Sequence, residues 1–170
     1  MLATVCGPGA AAPAAGVTRP ARAQAAATSS LASQVVAALN DVRAEHGLNP
    51  LRIASGLTAA AVIHSREMAR DGYFEHRSAD GSAFWKRVER FYPEGSARFW
   101  SVGENLLWSS PGIDAPGAVR MWMASPAHRH NMLDPRWREI GISTLHVAAA
   151  PGVYKGLEVT LVTADFGVRR

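Results

Sequence analysis

Three side chains in this sequence have the chemistry to bind a metal ion or to exchange protons: His76, Glu104 and His128. We interpret each as following a turn signal or a helix end, where loops deliver side chains into clefts. Two neutral imidazoles can bind Zn²⁺ at about 2.0–2.1 Å, and a carboxylate can complete the shell or orient a bound water. The trio therefore predicts a weak divalent-metal site with His76 and His128 as ligands. Zn²⁺ is the candidate ion, and no cofactor is required.

Ser125 and Asn131 flank His128 and are the other candidate groove residues. A serine-protease triad is disfavoured, because no nucleophile elbow surrounds Ser125. The segment His128-Arg129-His130 also lacks the glutamate and the spacing of a His-Glu-x-x-His zinc helix. A structural alternative stays open for these residues, since the role of Asn131 could be simply to hold the turn after Pro126 in place.

The remaining histidines have simpler interpretations. His46 lies at a predicted helix end, where a cation complements the helix dipole. His64 shares the predicted core face of its helix and is expected to be a buried, hydrogen-bonded imidazole. His146 lies in an apolar strand run and is expected to be structural or at the surface. Glu104 also has a structural alternative, since a carboxylate in a Gly-Glu-Asn-Leu loop can accept backbone N–H groups.

The elements that must position these residues change character along the chain. Apolar residues at three- and four-residue spacing predict a helix from Ser30 or Leu31 to Glu45 and another from Ser55, as a cap, to Asp71. Shorter helices are predicted over 82–90, from near Pro116, and over 128–133. Strands are predicted after Ile140 and over 99–102, with a hairpin turn at Pro151-Gly152. Helices first and strands last indicate an α+β layer protein.

Composition restricts the function classes. The chain has 170 residues, is 48% hydrophobic and carries a formal net charge of +4, enough for one domain with its own core. Basic residues are scattered singly, so the sequence predicts no nucleic-acid partner. Cys6 is the only cysteine, which excludes a disulfide framework in the domain. After residue 30, no apolar run reaches the roughly 20 residues of a membrane span.

The first 30 residues differ from the rest. They are rich in Ala, Gly and Pro, with Ala21-Arg22-Ala23 resembling a signal cleavage site. Gly and Pro residues interrupt the apolar region, so the signal peptide is incomplete as written. We therefore predict that residues 1–30 are a disordered remnant of a secretion signal or a linker, and that 31–170 is the folded domain. The alternative is an Ala/Pro-rich extension on an intracellular protein.

Taken in order, these segments resemble a CAP domain (also called SCP or PR-1-like) of the secreted bacterial kind. The resemblance runs from about Leu31 to Gly167. It rests on Gly72-Tyr73-Phe74, Gly103-Glu104-Asn105-Leu106, Ser125-Pro126, Asn131-Met132-Leu133 and Asp165-Phe166-Gly167. It implies an α-β-α sandwich with an antiparallel sheet between helices. It also implies that His76, Glu104 and His128 face one another across a groove.

The resemblance leaves the activity open. It implies a secreted or envelope-associated protein, expected to be monomeric. The first interpretation is a non-catalytic binding or interaction module for a small apolar or lipid ligand or a weakly bound metal. The alternative is a zinc-dependent hydrolase or peptidase with His76 and His128 on the metal and Glu104 as base. Many relatives carry a second glutamate where this sequence has Ser125, which weakens a catalytic interpretation. A structural protein with a vestigial groove is the third possibility.

Overall fold

The computed structural model of the chain describes the backbone of residues 21–170 and the side chains of residues 31–170. Five α-helices, four strands and one 3₁₀ turn follow one another within that range. In chain order they are α1 (Ala21–Glu45), β1 (Arg52–Ile53), α2 (Ser55–Asp71), α3 (Phe84–Phe91), β2 (Trp100–Ser109), α4 (Ala115–Ala124), α5 (Pro126–Met132), β3 (Glu139–Val147), the 3₁₀ turn (Gly152–Tyr154) and β4 (Val159–Arg169).

The two long helices agree with the sequence prediction except at their starts. α1 begins at Ala21, earlier than the predicted Ser30 or Leu31, and ends at Glu45 as predicted. α2 has the predicted bounds, but Ser55 is not its cap. Ala54 occupies the N-cap position in extended conformation and makes no side-chain cap hydrogen bond. Gly72 ends α2 with a φ of 71°, a left-handed conformation that favours glycine.

The sheet has the strand order β1-β3-β4-β2. β4 pairs antiparallel with both β2 and β3, whereas the two-residue β1 adds a short parallel pair to β3. β2 is the main correction to the sequence prediction, because it continues to Ser109 rather than ending near Val102. Glu104 therefore lies in the middle of a strand and not in a loop.

Successive side chains of a strand point to opposite faces, so the sheet separates two helical layers. Val162, Ala164 and Phe166 of β4 pack with α1 and α4, around Leu39 and Trp122. The opposite face of β4 contributes Val159 and Leu161, which pack against Met68 of α2. A third cluster joins Leu57 of α2 to Val88 and Tyr92 at α3. The result is the α-β-α sandwich that the sequence indicated.

The close approach of α2 to the sheet depends on one glycine. A Cβ on Gly141 of β3 would lie 2.0 Å from the backbone carbon of Leu57. A larger residue would therefore push α2 away from β3 and β4. This contact matters for the site because α2 carries His64 to the buried surface of the sheet.

The prediction that residues 1–30 are disordered falls largely outside the described part of the chain, which includes only the α1 backbone of residues 21–30 from that segment. It stays a prediction. Across residues 21–170, none of the helices combines the length and apolar character needed to cross a membrane.

Candidate functional site

Glu104 is the centre of a buried polar cluster on the α2 face of the sheet. Its side chain is 1% exposed, although it is charged and lies in the edge strand β2. Oε1 accepts a hydrogen bond of 2.8 Å from Nδ1 of His76, and Oε2 accepts one from a terminal nitrogen of Arg87. A buried carboxylate is tolerated when its oxygens are paired in this way.

His76 lies on the segment between α2 and α3, where the sequence predicted a loop. Its Nδ1 carries the hydrogen directed to Glu104, because a carboxylate can only accept. Nε2 is the other ring nitrogen, and the side chain is 53% exposed. Glu104 thus fixes the ring orientation and the tautomer of a histidine that is accessible to solvent.

Arg87 of α3 holds both Glu104 and the His76 segment. Its side chain is 3% exposed. One guanidinium nitrogen pairs with Glu104, and the other donates to the Ser78 hydroxyl at 2.8 Å and to the His76 carbonyl at 3.4 Å. Because a guanidinium is planar and has fixed donor directions, this arrangement locks the segment against the strand.

His64 and Asp165 complete the cluster from α2 and β4. His64 is fully buried, and its Nε2 donates to the carbonyl of Glu75 at 2.8 Å. Burial lowers the pKa of His64 against the opposing effect of Glu104, so the ring is neutral near pH 7. Asp165 is fully buried directly opposite Glu104 in the β2–β4 register.

Asp165 is the unusual member of the cluster. Neither of its carboxyl oxygens has a hydrogen-bond donor among the described residues. Burial first, and then the neighbouring Glu104, raise the pKa of Asp165 well above its usual range. A protonated Asp165 can donate to Glu104, which turns a repulsive pair of carboxylates into a hydrogen bond.

His128 approaches the same strand edge from the other layer. It lies on α5, and its carbonyl accepts a hydrogen bond of 3.1 Å from the Asn105 side chain. Burial lowers the pKa of His128, and the charge of His76 lowers it further. His76 therefore reaches β2 from one side of the sheet, and the segment that carries His128 reaches it from the other.

The other two predicted groove residues have positioning contacts. Asn131 donates from Nδ2 to Asn105 Oδ1 at 3.0 Å, and its carbonyl accepts from the Trp137 indole. A Cβ on Gly103 would lie 2.5 Å from Asn131 Oδ1, so α5 packs directly on the strand next to Glu104. Ser125 joins α4 to α5, and its carbonyl accepts from the Arg129 N–H at 2.8 Å.

These contacts define how a metal ion could be held. Glu104 uses Oε1 on His76 and Oε2 on Arg87, so it supports His76 rather than facing a ligand. Within residues 31–170, no group of three or more His, Cys, Asp or Glu side chains is placed to hold a metal. A metal site here would rest on His76 and His128 with Glu104 behind one ligand, which is fewer than the three protein ligands of a typical catalytic zinc.

The structure also contains a mainly apolar cavity away from this site, with a volume of about 450 Å³. It lies between α1 and α2 at the β3 edge of the sheet. Its apolar lining includes Ile53, Val62, Ile142 and Leu145. By contrast, the aromatic residues Phe84, Phe91 and Trp100 contribute to packing around Tyr92.

The remaining histidines behave as their sequence positions indicated. His46 is exposed, and its Nδ1 lies 2.8 Å from the carbonyl of Val42. His146 lies 3.4 Å from Glu158 on the partly exposed end of β3. His64 is buried and bonded to backbone, as predicted, although its ring also lies 4.0 Å from Glu104.

Sequence reasoning missed Arg87 and Asp165. Asp165 stands in a run of apolar strand residues, and an acid in such a run requires a partner or a proton. Arg87 stands beside Val88 on the buried side of α3, and a buried guanidinium requires a carboxylate. These two signals were present, but the pairing through Glu104 depends on the strand register.

The fold agrees with the comparisons to known proteins. The model of the CAP, cysteine-rich secretory protein family matches residues 36–154. The chain therefore belongs to the CAP family.

Similar proteins are bacterial. The uncharacterized membrane protein YlbC of Bacillus subtilis (strain 168) is 30% identical over 109 residues, which is 64% of this chain and 30% of YlbC. An extracellular SCP-domain protein of Bacillus anthracis (strain Ames) has a TM-score of 0.69 at 22% identity, over 91% of this chain and 45% of that one. An outer surface protein of Borrelia burgdorferi has a TM-score of 0.60 at 18% identity, over 80% of this chain and 90% of that one. The chain thus spans about a third of YlbC.

Proposed function

We propose that this protein is a secreted or envelope-associated binding module whose histidine pair takes a divalent metal ion weakly and without catalysis. The observation that carries this proposal is the hydrogen bond between Glu104 Oε1 and His76 Nδ1, formed by a carboxylate that is 1% exposed. A histidine that binds metal through one nitrogen commonly donates the other N–H to such a carboxylate.

The metal ligands in this proposal are Nε2 of His76 and the ring of His128. Because burial and His76 lower the pKa of His128, that ring stays neutral, as ligation requires. The ion would supply Lewis acidity to whatever binds beside it. Two protein ligands leave the remaining positions to water, so the affinity is modest.

The same geometry disfavours hydrolysis. A general base must reach a water or substrate proton within about 2.6–3.2 Å. Both oxygens of Glu104 are engaged, by His76 and by Arg87, and its side chain is buried. Ser125 offers no carboxylate to replace it. The hydrolase alternative therefore needs a general base other than Glu104.

Location outside the cytoplasm is part of the proposal. It is supported by the small-residue segment before Leu31 and by relatives described as extracellular or outer surface proteins. Those descriptions belong to the relatives, and secretion of this chain is proposed from them together with its N-terminal composition.

Isothermal titration of the purified protein with Zn²⁺ tests the metal site. We expect weak binding that disappears in the His76→Ala/His128→Ala variant and falls about 10- to 100-fold in Glu104→Gln. Affinity should fall as the pH drops below about 6.5, the ordinary histidine value, because protonated imidazole cannot ligate and the pKa of His128 is lowered by burial. His46→Ala, which removes an exposed histidine elsewhere, serves as the control.

Two results would contradict this proposal. Zinc affinity unchanged in the double histidine variant would remove the site. Metal-dependent turnover of a peptide, ester or glycoside that is lost in Glu104→Gln while zinc is retained would establish the hydrolase instead. Thermal melts of each variant show whether a loss reflects unfolding.

A second candidate ligand is a small apolar or lipid molecule, supported by the cavity of about 450 Å³ between α1 and α2. This size and apolar lining are typical of small-molecule sites. Val62→Trp should fill the cavity and abolish binding of a fluorescent fatty acid, whereas Met121→Trp on the exposed side of α4 should not. Equal binding by both variants would exclude the cavity as the site.

A further inference from the structure

We propose that one end of the sheet is a docking surface for an anionic phospholipid membrane. The strand register brings five arginines to this end from four strands or their flanking residues, and we call this surface the basic end. Its members are Arg52, Arg98, Arg138, Arg169 and Arg170.

The register places these residues side by side. Arg52 pairs with Glu139, the residue after Arg138, while the Arg138 N–H donates to the Gly167 carbonyl. The backbones of Arg170 and Phe99 exchange hydrogen bonds of 2.9 and 3.1 Å, which puts Arg98 next to the end of β4. Because neighbouring strands lie about 4.8 Å apart, the four strand ends span roughly 14 Å.

Three of the five guanidinium groups of the basic end contact rings or carbonyls rather than carboxylates. Arg169 lies 3.9 Å from the centre of the Tyr92 ring, and Arg170 lies 5.0 Å from that of Phe99. Arg138 donates to three carbonyls of residues 135–137. Among the described side chains, none of the five forms an ion pair, whereas the nearby Arg136 pairs with Asp134.

Like charges crowded at one end of the sheet repel one another. Burial lowers the pKa of the nearby Arg43, and the charge of Arg138 lowers it further, whereas Asp134 raises it. Four of the five arginines of the basic end are exposed, and Arg138 is half-buried. Glu139 at the same end is half-buried and accepts a hydrogen bond from Tyr92. The exposed surface is therefore mainly positive, and it attracts anions over a distance set by the ionic strength.

An apolar side chain at the same end favours a membrane over other polyanions. Ile53 follows Arg52 in β1 and is 62% exposed, the largest exposure among the exposed large hydrophobic residues described. A bilayer offers phosphate groups to the arginines and an apolar boundary to Ile53. A nucleic acid backbone offers only the phosphates. The proposal does not depend on the histidine site, which lies farther along β2.

Co-sedimentation of the full chain with vesicles tests the proposal. We expect binding to vesicles of phosphatidylglycerol and phosphatidylcholine, but not to phosphatidylcholine alone, and loss of binding when salt rises from about 0.1 M to about 0.5 M. The variant Arg52→Gln/Arg98→Gln/Arg170→Gln should bind about 100-fold more weakly, since each arginine near an anionic surface contributes about fivefold.

The matched control removes three positive charges elsewhere. Arg66→Gln/Arg120→Gln/Lys155→Gln has the same net charge and should keep most of the binding. An equal loss in the control would mean that net charge alone is responsible, and would overturn the docking surface. His76→Ala/His128→Ala should bind vesicles as the unaltered chain does.

Ile53→Ser separates a membrane from another polyanion. It should weaken binding to the anionic vesicles and leave any binding to double-stranded DNA unchanged. Tighter binding to DNA than to the vesicles, abolished by the arginine variant, would overturn the membrane assignment in favour of a nucleic acid. Unaltered melting temperatures of the variants ensure that each comparison is made on folded protein.

Discussion

Asp165 and Glu104 face each other in a part of the protein that excludes water, and their ionisation determines how the site behaves with pH. Arg87 and His76 satisfy Glu104, whereas Asp165 has no donor of its own. The desolvation cost of a buried negative charge is therefore largest at Asp165, so Asp165 keeps its proton. The neutral acid then lets Glu104 remain the acceptor that orients His76.

Replacing Asp165 by Asn should stabilise the protein at about pH 7. The folded-state pKa of Asp165 is raised, so between the ordinary value of 3.8 and the raised value the folded state binds more protons than the unfolded state. Stability from this group therefore falls as pH rises through that window. Asparagine removes the titration and can still donate to Glu104.

Thermal unfolding at about pH 4 and about pH 7 measures this effect. We expect the melting temperature to change little near pH 4 and to rise by about 2–4 °C near pH 7, which corresponds to a gain of about 1 kcal/mol in the free energy of unfolding. Asp41→Asn, which replaces an exposed acid on α1, should leave the melting temperature unchanged at both pH values. A variant destabilised by several degrees at about pH 7 would mean that the ionised Asp165 is stabilising.

At the scale of the elements, local pattern predicted the helices well. The apolar spacing of Leu57, Ala61, His64 and Met68 indicated the buried face of α2, and all four side chains are buried. Gly72 marked the helix end correctly. The prediction of Ser55 as the N-cap was wrong, because a serine at the start of a helix need not accept a hydrogen bond from a backbone N–H. Propensity identifies candidates for a cap, whereas geometry decides which residue serves.

β2 was harder to predict because its sequence contains turn-like residues. Gly103 and Asn105 suggested a loop around Glu104. In the structure a side chain at position 103 would clash with Asn131 and Trp137, so a glycine is required there. Asn105 donates a hydrogen bond to a carbonyl of α5. Their residue types reflect contacts with an element that is distant in sequence. The same limit applied to Arg87 and Asp165, whose roles depend on which strand lies beside β2.

At the scale of the whole molecule, the fold concentrates features that are scattered in the sequence. The arginines at the start of β1, just before β2 and β3, and at the end of β4 form no long basic block along the chain. They meet at one end because β2 and β3 run antiparallel to β4. Sequence composition alone could therefore indicate solubility but not an interaction surface. The histidine pair arises similarly, since β2 is an edge strand that both helical layers approach.

The first 30 residues should be dispensable for the stability of this assembly. Their Ala, Gly and Pro bias offers little apolar surface to offset the entropy of ordering. Among the described side chains, those of α1 that contact the core begin with Leu31 and include Val35 and Leu39, which are fully buried. A variant beginning at Ser29 keeps all of these contacts, so its melting temperature should equal that of the full chain within error.

The matched control for this truncation begins at Val36 and so removes Val35. Losing a fully buried valine and the turn of α1 that carries it should lower the melting temperature by several degrees, since burial of such a side chain contributes about 1.5–3 kcal/mol. Differential scanning calorimetry of the three proteins compares them directly. A loss of several degrees in the Ser29 variant would instead mean that residues 1–28 pack on the domain, and the domain boundary would move toward the N-terminus.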